Sequence, residues 1–313
     1  MVFLQFWAWR AELASMSVPA PSGTLATSVE TLLEAMDRLP SQGNVALRVL
    51  WMADDPMTGL HELARALESD PVLVARLLHL ANSAYYSPRS AIGTVERAIT
   101  LLGFATVRTV ATVVACGLGS GAAVPQGFWQ HASATANAAQ LIAWRFGIPT
   151  GDAFTVGLLH DLGRGLLHVA DPVQSAEIDL ELERMAALAG PGSTDPTERA
   201  ATAPGNDRLQ LERTCFGITH ADAAARVMTS WRFPAVMVEA IAHHHGGVDA
   251  APSDMARLLL AAEAVAERAF GRWGEPVDAE SGLALLAIEP ERLENVVQRV
   301  RSESGTLAAV LGR

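Results

Sequence analysis

Gly157-Leu158-Leu159-His160-Asp161-Leu162-Gly163-Arg164 is the stretch on which the reading of this chain turns. An apolar run leads into a histidine and an aspartate side by side, and a glycine follows two positions later. The surrounding pattern predicts a helix that starts at Asp152 and carries the pair. Neighbouring side chains on a helix point about 100° apart. They converge only on something lodged between that helix and those packed on it, either a divalent metal or a buried hydrogen-bond network. The question is whether the rest of the chain supplies partners.

Composition narrows the answer. Half of the 313 residues are hydrophobic and only 6% are aromatic, much of the excess being Ala and Leu, which favours helix over sheet. The chain has no lysine; its basic residues are arginines, and the net charge is −11. An acidic chain without a local basic patch repels nucleic acid and anionic membrane. Cys116 and Cys215 are too few for a disulfide framework or a zinc knuckle and fit the reduced thiols of a cytoplasmic protein. No apolar run approaches the roughly 18 residues that span a bilayer. Met1 to Met16 lacks the basic start and small-residue cleavage site of a secretory signal. It reads as an extension, a docking segment, or sequence upstream of a true start at Met16.

Apolar spacing predicts an all-α protein in two helical blocks. Residues 1–26 are an extension and linker, 27–120 an N-terminal helical part, 121–275 a second helical subdomain, and 276–313 a helical tail. In the first block Val29 to Met36 and Val45 to Met52 repeat at helical spacing. Asp70-Pro71 restarts a helix with a cap and a proline at its first position, Thr94 caps another, and Gly103 stops it. Gly117 to Gly127 marks the boundary. The second block opens at Phe128-Trp129-Gln130-His131, and residues 187–207, rich in breakers, read as a mobile surface loop. Helices return at Leu209, His220, Pro234 and Asp254.

Six of the nine histidines, His131, His160, His220, His243, His244 and His245, fall in the middle or at the end of second-block helices. Imidazoles with a carboxylate such as Asp161 form an N/O shell suited to Fe, Mn or Zn, and two such ions together activate water and clamp a phosphate oxygen. The bland alternative is a polar core of neutral, mutually hydrogen-bonded imidazoles. His61, His79 and His168 read as structural, and Trp129, Trp144 and Trp231 as packing around the histidine helices.

The order His131, His160-Asp161, His220 and a histidine pair resembles the HD superfamily of metal-dependent phosphohydrolases. From about Leu32 to Leu311 the chain is more closely similar to HDOD-domain proteins. The resemblance rests on Leu39-Pro40, Leu67-Glu68-Ser69-Asp70-Pro71, Leu77-Leu78-His79-Leu80-Ala81-Asn82-Ser83-Ala84-Tyr85-Tyr86 and Ala98-Ile99-Thr100-Leu101-Leu102-Gly103. It continues with the stretch around His160, Phe216-Gly217-Ile218-Thr219-His220-Ala221, Trp231-Arg232-Phe233-Pro234 and Ile241-Ala242-His243-His244-His245.

The resemblance implies an all-α fold in which a helical N-terminal subdomain packs on an HD-like one. It implies a bacterial, cytoplasmic signalling module, of a kind linked to two-component and cyclic-di-GMP signalling. Such a module acts through protein partners, with self-association as a homodimer open. It maps metal ligands onto His131, His160, Asp161, His220, His244 and His245, with Glu263 closing the set and His243 as a one-residue shift of register. Asp161 and Arg164 are the candidates for catalysis. Three departures from the catalytic HD-GYP phosphodiesterases stand out. Arg164 replaces a lysine and cannot lose its proton, Glu263 replaces an aspartate, and no Gly-Tyr-Pro follows His245. The expectation is a module without turnover. The alternatives are an HD-type cyclic-dinucleotide phosphodiesterase and a DNA-binding regulator that uses Arg76, Arg89, Arg97 and Arg108 as exposed contacts.

Overall fold

The computed structural model describes residues 41–83, 86, 88, 90–116, 118, 124–189, 205–271, 273 and 279–311. The expectations placed on residues 1–40, including the extension, the choice between Met1 and Met16 and the helix from Val29, lie outside them. Among the described residues every regular element is helical.

The first half comprises α1 (Ser41–Asp54), α2 (Leu60–Glu68), α3 (Pro71–Ala81) and α4 (Val95–Ala115). Asp70 accepts the Leu73 N–H at 3.2 Å, giving α3 the cap its sequence promises. Asn82 then holds the chain that leaves α3. It donates to the Leu78 and Ile92 carbonyls at 2.8 Å each and accepts from Ile92 N–H at 2.7 Å. α4 is broken at Gly103, whose φ of 80° and ψ of 160° are non-helical. By length and composition α4 is apolar enough to cross a membrane, with a mean hydropathy of 1.7, contrary to the sequence reading. Here it is a core helix, packed on α1, α2 and α3. Arg76 and Arg108, expected on the surface for DNA, are 8% and 6% exposed. Arg108 pairs with Asp54, stacks 3.8 Å over Phe233 and reaches the Arg232 carbonyl at 3.3 Å, clamping the first half to the second. That removes two of the four arginines a recognition helix would need; Arg89 lies outside the described residues.

The second half comprises α5 (Phe128–Ile142), a 3-10 turn (Ala143–Arg145), α6 (Thr150–Leu159), α7 (Leu162–Ala170), α8 (Pro172–Ala189), α9 (Gly205–Phe216), α10 (His220–Ser230), α11 (Ala235–Ala242), α12 (Asp254–Phe270), α13 (Ala279–Ala284) and α14 (Pro290–Leu311). α5 is its axis. Ala132, Ala134, Ala136, Ala138 and Ala139 are all within 1% of full burial, and these short side chains let α6, α12 and α14 pack closely around it.

Two expectations are corrected, on the loop over 187–207 and on Trp144. The loop expected over 187–207 is helical at both of its ends, where α8 continues to Ala189 and α9 begins at Gly205; residues 190–204 lie outside the described ones. The C-terminal tail is helical as expected, and its long helix α14 belongs to the core: Val297, Val300 and Leu307 are fully buried, and Asn137 Nδ2 donates to Ser304 Oγ at 3.0 Å. Trp144 does not pack near the histidines; it is 53% exposed, with Arg292 over its ring. One main core runs from Ala46 to Leu307 through both halves. A small separate cluster of Leu167, Ile178, Phe216, Ile218 and Ala223 lies under α8 and α9.

Candidate metal centre

The His160-Asp161 pair is not inside a helix. α6 ends at Leu159 and α7 begins at Leu162, so the two residues form the corner between them. The sequence reading of a single helix is thereby corrected. At the corner both side chains can turn toward the same interior point. Gly163 explains how close α7 comes to its neighbour: a Cβ there would sit 1.9 Å from the His220 carbonyl oxygen. Gly157 does the same one turn earlier, where a Cβ would meet the α5 backbone at 2.8 Å. These two glycines bring α5, α6, α7 and the start of α10 together around the corner.

Six sequence-predicted ligands meet there. His131 comes from α5, His220 from the first turn of α10, and His244 and His245 from the turn after α11. Their ligand atoms form two groups, Asp161 with His220, His244 and His245, and Asp161 with His131 and His160, each within 4.8 Å. Asp161 divides its oxygens between them. Oδ1 lies 3.4 Å from His220 Nε2 and 3.6 Å from His244 Nε2, while Oδ2 lies 3.5 Å from His160 Nε2 and 3.7 Å from His131 Nε2. Glu263 of α12 joins the second group, its Oε1 3.3 Å from His160 Nε2. His243 is exposed and donates backward to the Glu239 carbonyl, so it stands outside the cluster.

Three imidazoles have their Nδ1 protons committed elsewhere. His160 donates to the Gly157 carbonyl at 2.8 Å, His244 to Ile241 at 2.6 Å, and His220 to Glu212 Oε2 at 2.7 Å. Each is turned so that Nε2 faces the centre, the usual arrangement behind a metal ligand. The same Glu212 oxygen accepts the His220 backbone N–H at 2.8 Å, satisfying a donor that the start of α10 would otherwise orphan. Without an ion, pairs of nitrogens share protons: His220 and His245 at 2.7 Å, His131 and His160 at 3.1 Å. His244 Nε2 is buried with no hydrogen-bond partner. An orphaned imidazole nitrogen beside a shared carboxylate fits a divalent ion of the Fe, Mn or Zn type.

The electrostatics agree with that fit. Burial pushes His131 down to about 3, helped by His160, and pushes His160 down to about 4 against the pull of Asp161. His245 is held well below the ordinary range, first by burial and then by His244. These rings are neutral, as ligands must be. Burial works against charge on His244 as well, but the Asp161 and Glu263 carboxylates outweigh it and raise its pKa to about 9. Burial pushes Asp161 up, and the surrounding imidazoles and Arg164 overcome this and hold it well below the usual carboxylate range. His244 is therefore the cation that balances Asp161 when no ion does.

Trp273 closes the mouth. Its ring stacks on His131 at 4.6 Å and 24°, the Arg164 guanidinium lies 3.8 Å over it, and its Nε1 donates to the Gln126 carbonyl at 2.7 Å. The space left among His131, Asp161, His245, Glu263, Glu267, Gly271 and Trp273 is about 20 Å³.

The sequence reading missed Trp273, Glu212, Arg208 and Asp179. Arg208 and Glu212 sit four apart, as surface ion pairs do. They are also in phase with the buried Phe216, and that was the available signal. Of the residues read as structural, His168 pairs with Ser175 at 3.1 Å and His61 with Glu96 at 2.6 Å, both away from the centre.

A family model described as the HDOD domain matches residues 39–190 and 191–246. Among solved structures, the chain is similar to a candidate phosphohydrolase from Shewanella amazonensis SB2B, 24% identical over 90% of this chain and 98% of that one, with a TM-score of 0.64. It is similar to a candidate signal transduction protein from Marinobacter aquaeolei VT8, 23% identical over 93% and 67%, with a TM-score of 0.65. An HDOD domain protein of unknown function from Geobacter sulfurreducens is 25% identical over 91% and 93%, with a TM-score of 0.52. No curated protein matches the chain.

Proposed function

The chain belongs to the HDOD-domain family, and we propose that it is a signal-transduction module that holds a divalent metal at the His/Asp centre and acts through a protein partner, without turning over a phosphoester. The observation that carries this reading is the space at the mouth. About 20 Å³ among these described residues is room for one water or one small ion, which supports a centre that holds metal rather than one that takes in a cyclic dinucleotide. Arg164, the arginine beside Asp161, is occupied by Trp273 and by carboxylates on both sides and is not presented to a substrate phosphate. The name of the Marinobacter relative points the same way by analogy of fold.

His220, His244, His245 and Asp161 would hold one ion, and His131, His160 and Asp161, with Glu263, a second. Bound ions would supply Lewis-acid polarisation of a phosphoryl oxygen or of water. In the reading preferred here their service is structural. They would take the place of the His244 proton as the charge that balances Asp161, with ligands drawn from α5, the corner before α7, α10, the turn after α11 and α12.

A second reading, an HD-type phosphodiesterase, is favoured by one observation: two ligand groups share a single carboxylate, which would set two ions side by side as two-ion hydrolysis uses them. The name of the Shewanella relative belongs with it. One experiment separates the readings. The purified chain and His160→Ala are assayed for metal content, for hydrolysis of cyclic dinucleotides with added Mn²⁺ or Fe²⁺, and for capture of a defined partner. Bound metal that His160→Ala loses, with no turnover, is expected. Turnover that His160→Ala abolishes would overturn the proposal in favour of the phosphodiesterase.

A further inference from the structure

Around the ligands runs a closed circuit of charge. Arg164 Nη1 lies 3.9 Å from Asp161 Oδ2, and its Nη2 lies 3.5 Å from Asp179 Oδ1. Arg208 makes a short contact with the same Asp179 oxygen, and its Nη1 lies 3.8 Å from Glu212 Oε1. Glu212 accepts from His220 Nδ1, and His220 Nε2 returns to Asp161 at 3.4 Å. Asp161, Arg164, Asp179, Arg208 and Glu212 thus alternate in sign, and His220 closes the ring by linking Glu212 back to the carboxylate shared by both ligand groups. Arg164 and Arg208 are each 4% exposed and Glu212 is 2% exposed, whereas the Asp179 side chain, at 37%, is the member that reaches the surface.

The ring joins unequal partners. α7 and α10 sit against the centre. α8, which carries Asp179, and α9, which carries Arg208 and Glu212, rest on the small apolar cluster that is separate from the main core. A layer with few buried apolar contacts opens locally more readily than the core does, so its polar ties weigh more. The ties respond to charge at Asp161. An ion there takes up the carboxylate's charge and leaves Asp179 as the competing anion for Arg164. An ion on His220 Nε2 also fixes the tautomer that donates Nδ1–H to Glu212.

We propose that Asp179, Arg208 and Glu212 are positioning residues of the metal centre, and that through them metal occupancy sets how firmly α8 and α9 are held to the rest of the molecule. The proposal rests on the metal-binding reading above. Its test is amide hydrogen exchange of the full chain, stripped of metal and then loaded with Mn²⁺ or Zn²⁺ alone, with bound metal measured on the same samples. Loading is expected to slow exchange in α8 and α9 by about fivefold or more, the lower end of ordinary coupling between sites. In Asp179→Asn, which keeps every ligand, metal is expected to bind and to slow exchange near the ligands but not in α8. Should that variant fail to fold, Arg208→Lys keeps the charge and loses the forked contact to Asp179 and Glu212, and it is expected to lose most of the slowing in α9. Bound metal with unchanged exchange in α8 and α9 would overturn the proposal, as would wild-type slowing in a folded variant. A wild-type chain that takes up no metal overturns the metal reading, and this proposal with it.

Discussion

The helices before Cys116 and those after Phe128 are made from the same alanine- and leucine-rich stock, yet they bury different things. α1 to α4 enclose Leu50, Leu63, Leu67, Leu73, Leu77 and Leu80, and their buried polar groups serve the architecture, Asp70 as a cap and Arg108 as a clamp onto the second half. The second half gathers an aspartate, a glutamate and five histidines at one point, with arginines behind them. The first half is stabilised by area removed from water. The second half spends part of that stabilisation on keeping charge inside. The difference shows that a shared core can carry one half whose tolerance is set by volume and another whose tolerance is set by charge balance.

The largest effect should come from breaking that balance. Asp161→Ala removes the carboxylate common to both ligand groups and leaves the His244 cation without its closest counter-charge. Truncating one partner of a buried pair costs about 3–5 kcal/mol, and metal should be lost from both groups. Urea unfolding and metal analysis check this. Asp70→Ala in the first half, also buried, removes a helix cap and the carboxylate that favours charge on Arg76, and is expected to cost about 1–2 kcal/mol without loss of metal. Leu77→Ala, fully buried in α3, should cost about 2–5 kcal/mol by leaving a cavity. Its metal content should match the wild type; a drop would mean that the halves are not separable in this way. Gly163→Ala drives a methyl into the His220 carbonyl and should cost about 1–3 kcal/mol or more, with weakened metal retention, because α7 must move.

The metal-free protein should also show the balance in its response to pH. His244, raised to about 9, contributes stability that is full below its unfolded pKa of about 6.5 and is lost as pH rises through about 9. His131 and His160, lowered to about 3 and about 4, act with the opposite sign: below about pH 6.5 the unfolded chain takes up protons that the folded one refuses. Thermal melts of stripped protein should therefore peak between these limits and fall on either side. Bound metal should flatten the alkaline side by replacing the His244 proton. The smallest effect is expected at Gly305→Ala in α14, where a Cβ meets nothing within 4 Å. Helix propensity alone should raise stability by about 0.5–1 kcal/mol.

Much of this was legible in the sequence because helices announce themselves by period and punctuation. Asp70-Pro71, Thr94 and Gly103 mark the ends they were read to mark. The order of histidines singled out His131, His160, His220, His244 and His245. What stayed hidden was geometry that spacing does not encode. A break between helices at His160-Asp161 leaves no proline or polar cluster in the sequence, since the corner is stabilised by packing on the His220 carbonyl far along the chain. Asp179, Arg208 and Glu212 look like surface charges, and their burial follows from what they face across helices. Trp273 lies in a stretch without apolar period, and only the folded chain places its ring on His131.

The contact between Gly163 and the His220 carbonyl has a topological consequence. The chain leaves the centre at Gly163, builds α8 and α9, and comes back to the same point at His220. Everything between is an excursion whose two ends are already joined. Lengthening it changes the closure entropy slowly, by about 0.6 kcal/mol for each doubling of a flexible loop. An added segment between α8 and α9 would hang from a closed base without moving the ligands. A fold built this way can accept a new domain or recognition element at that place while its centre stays where it was.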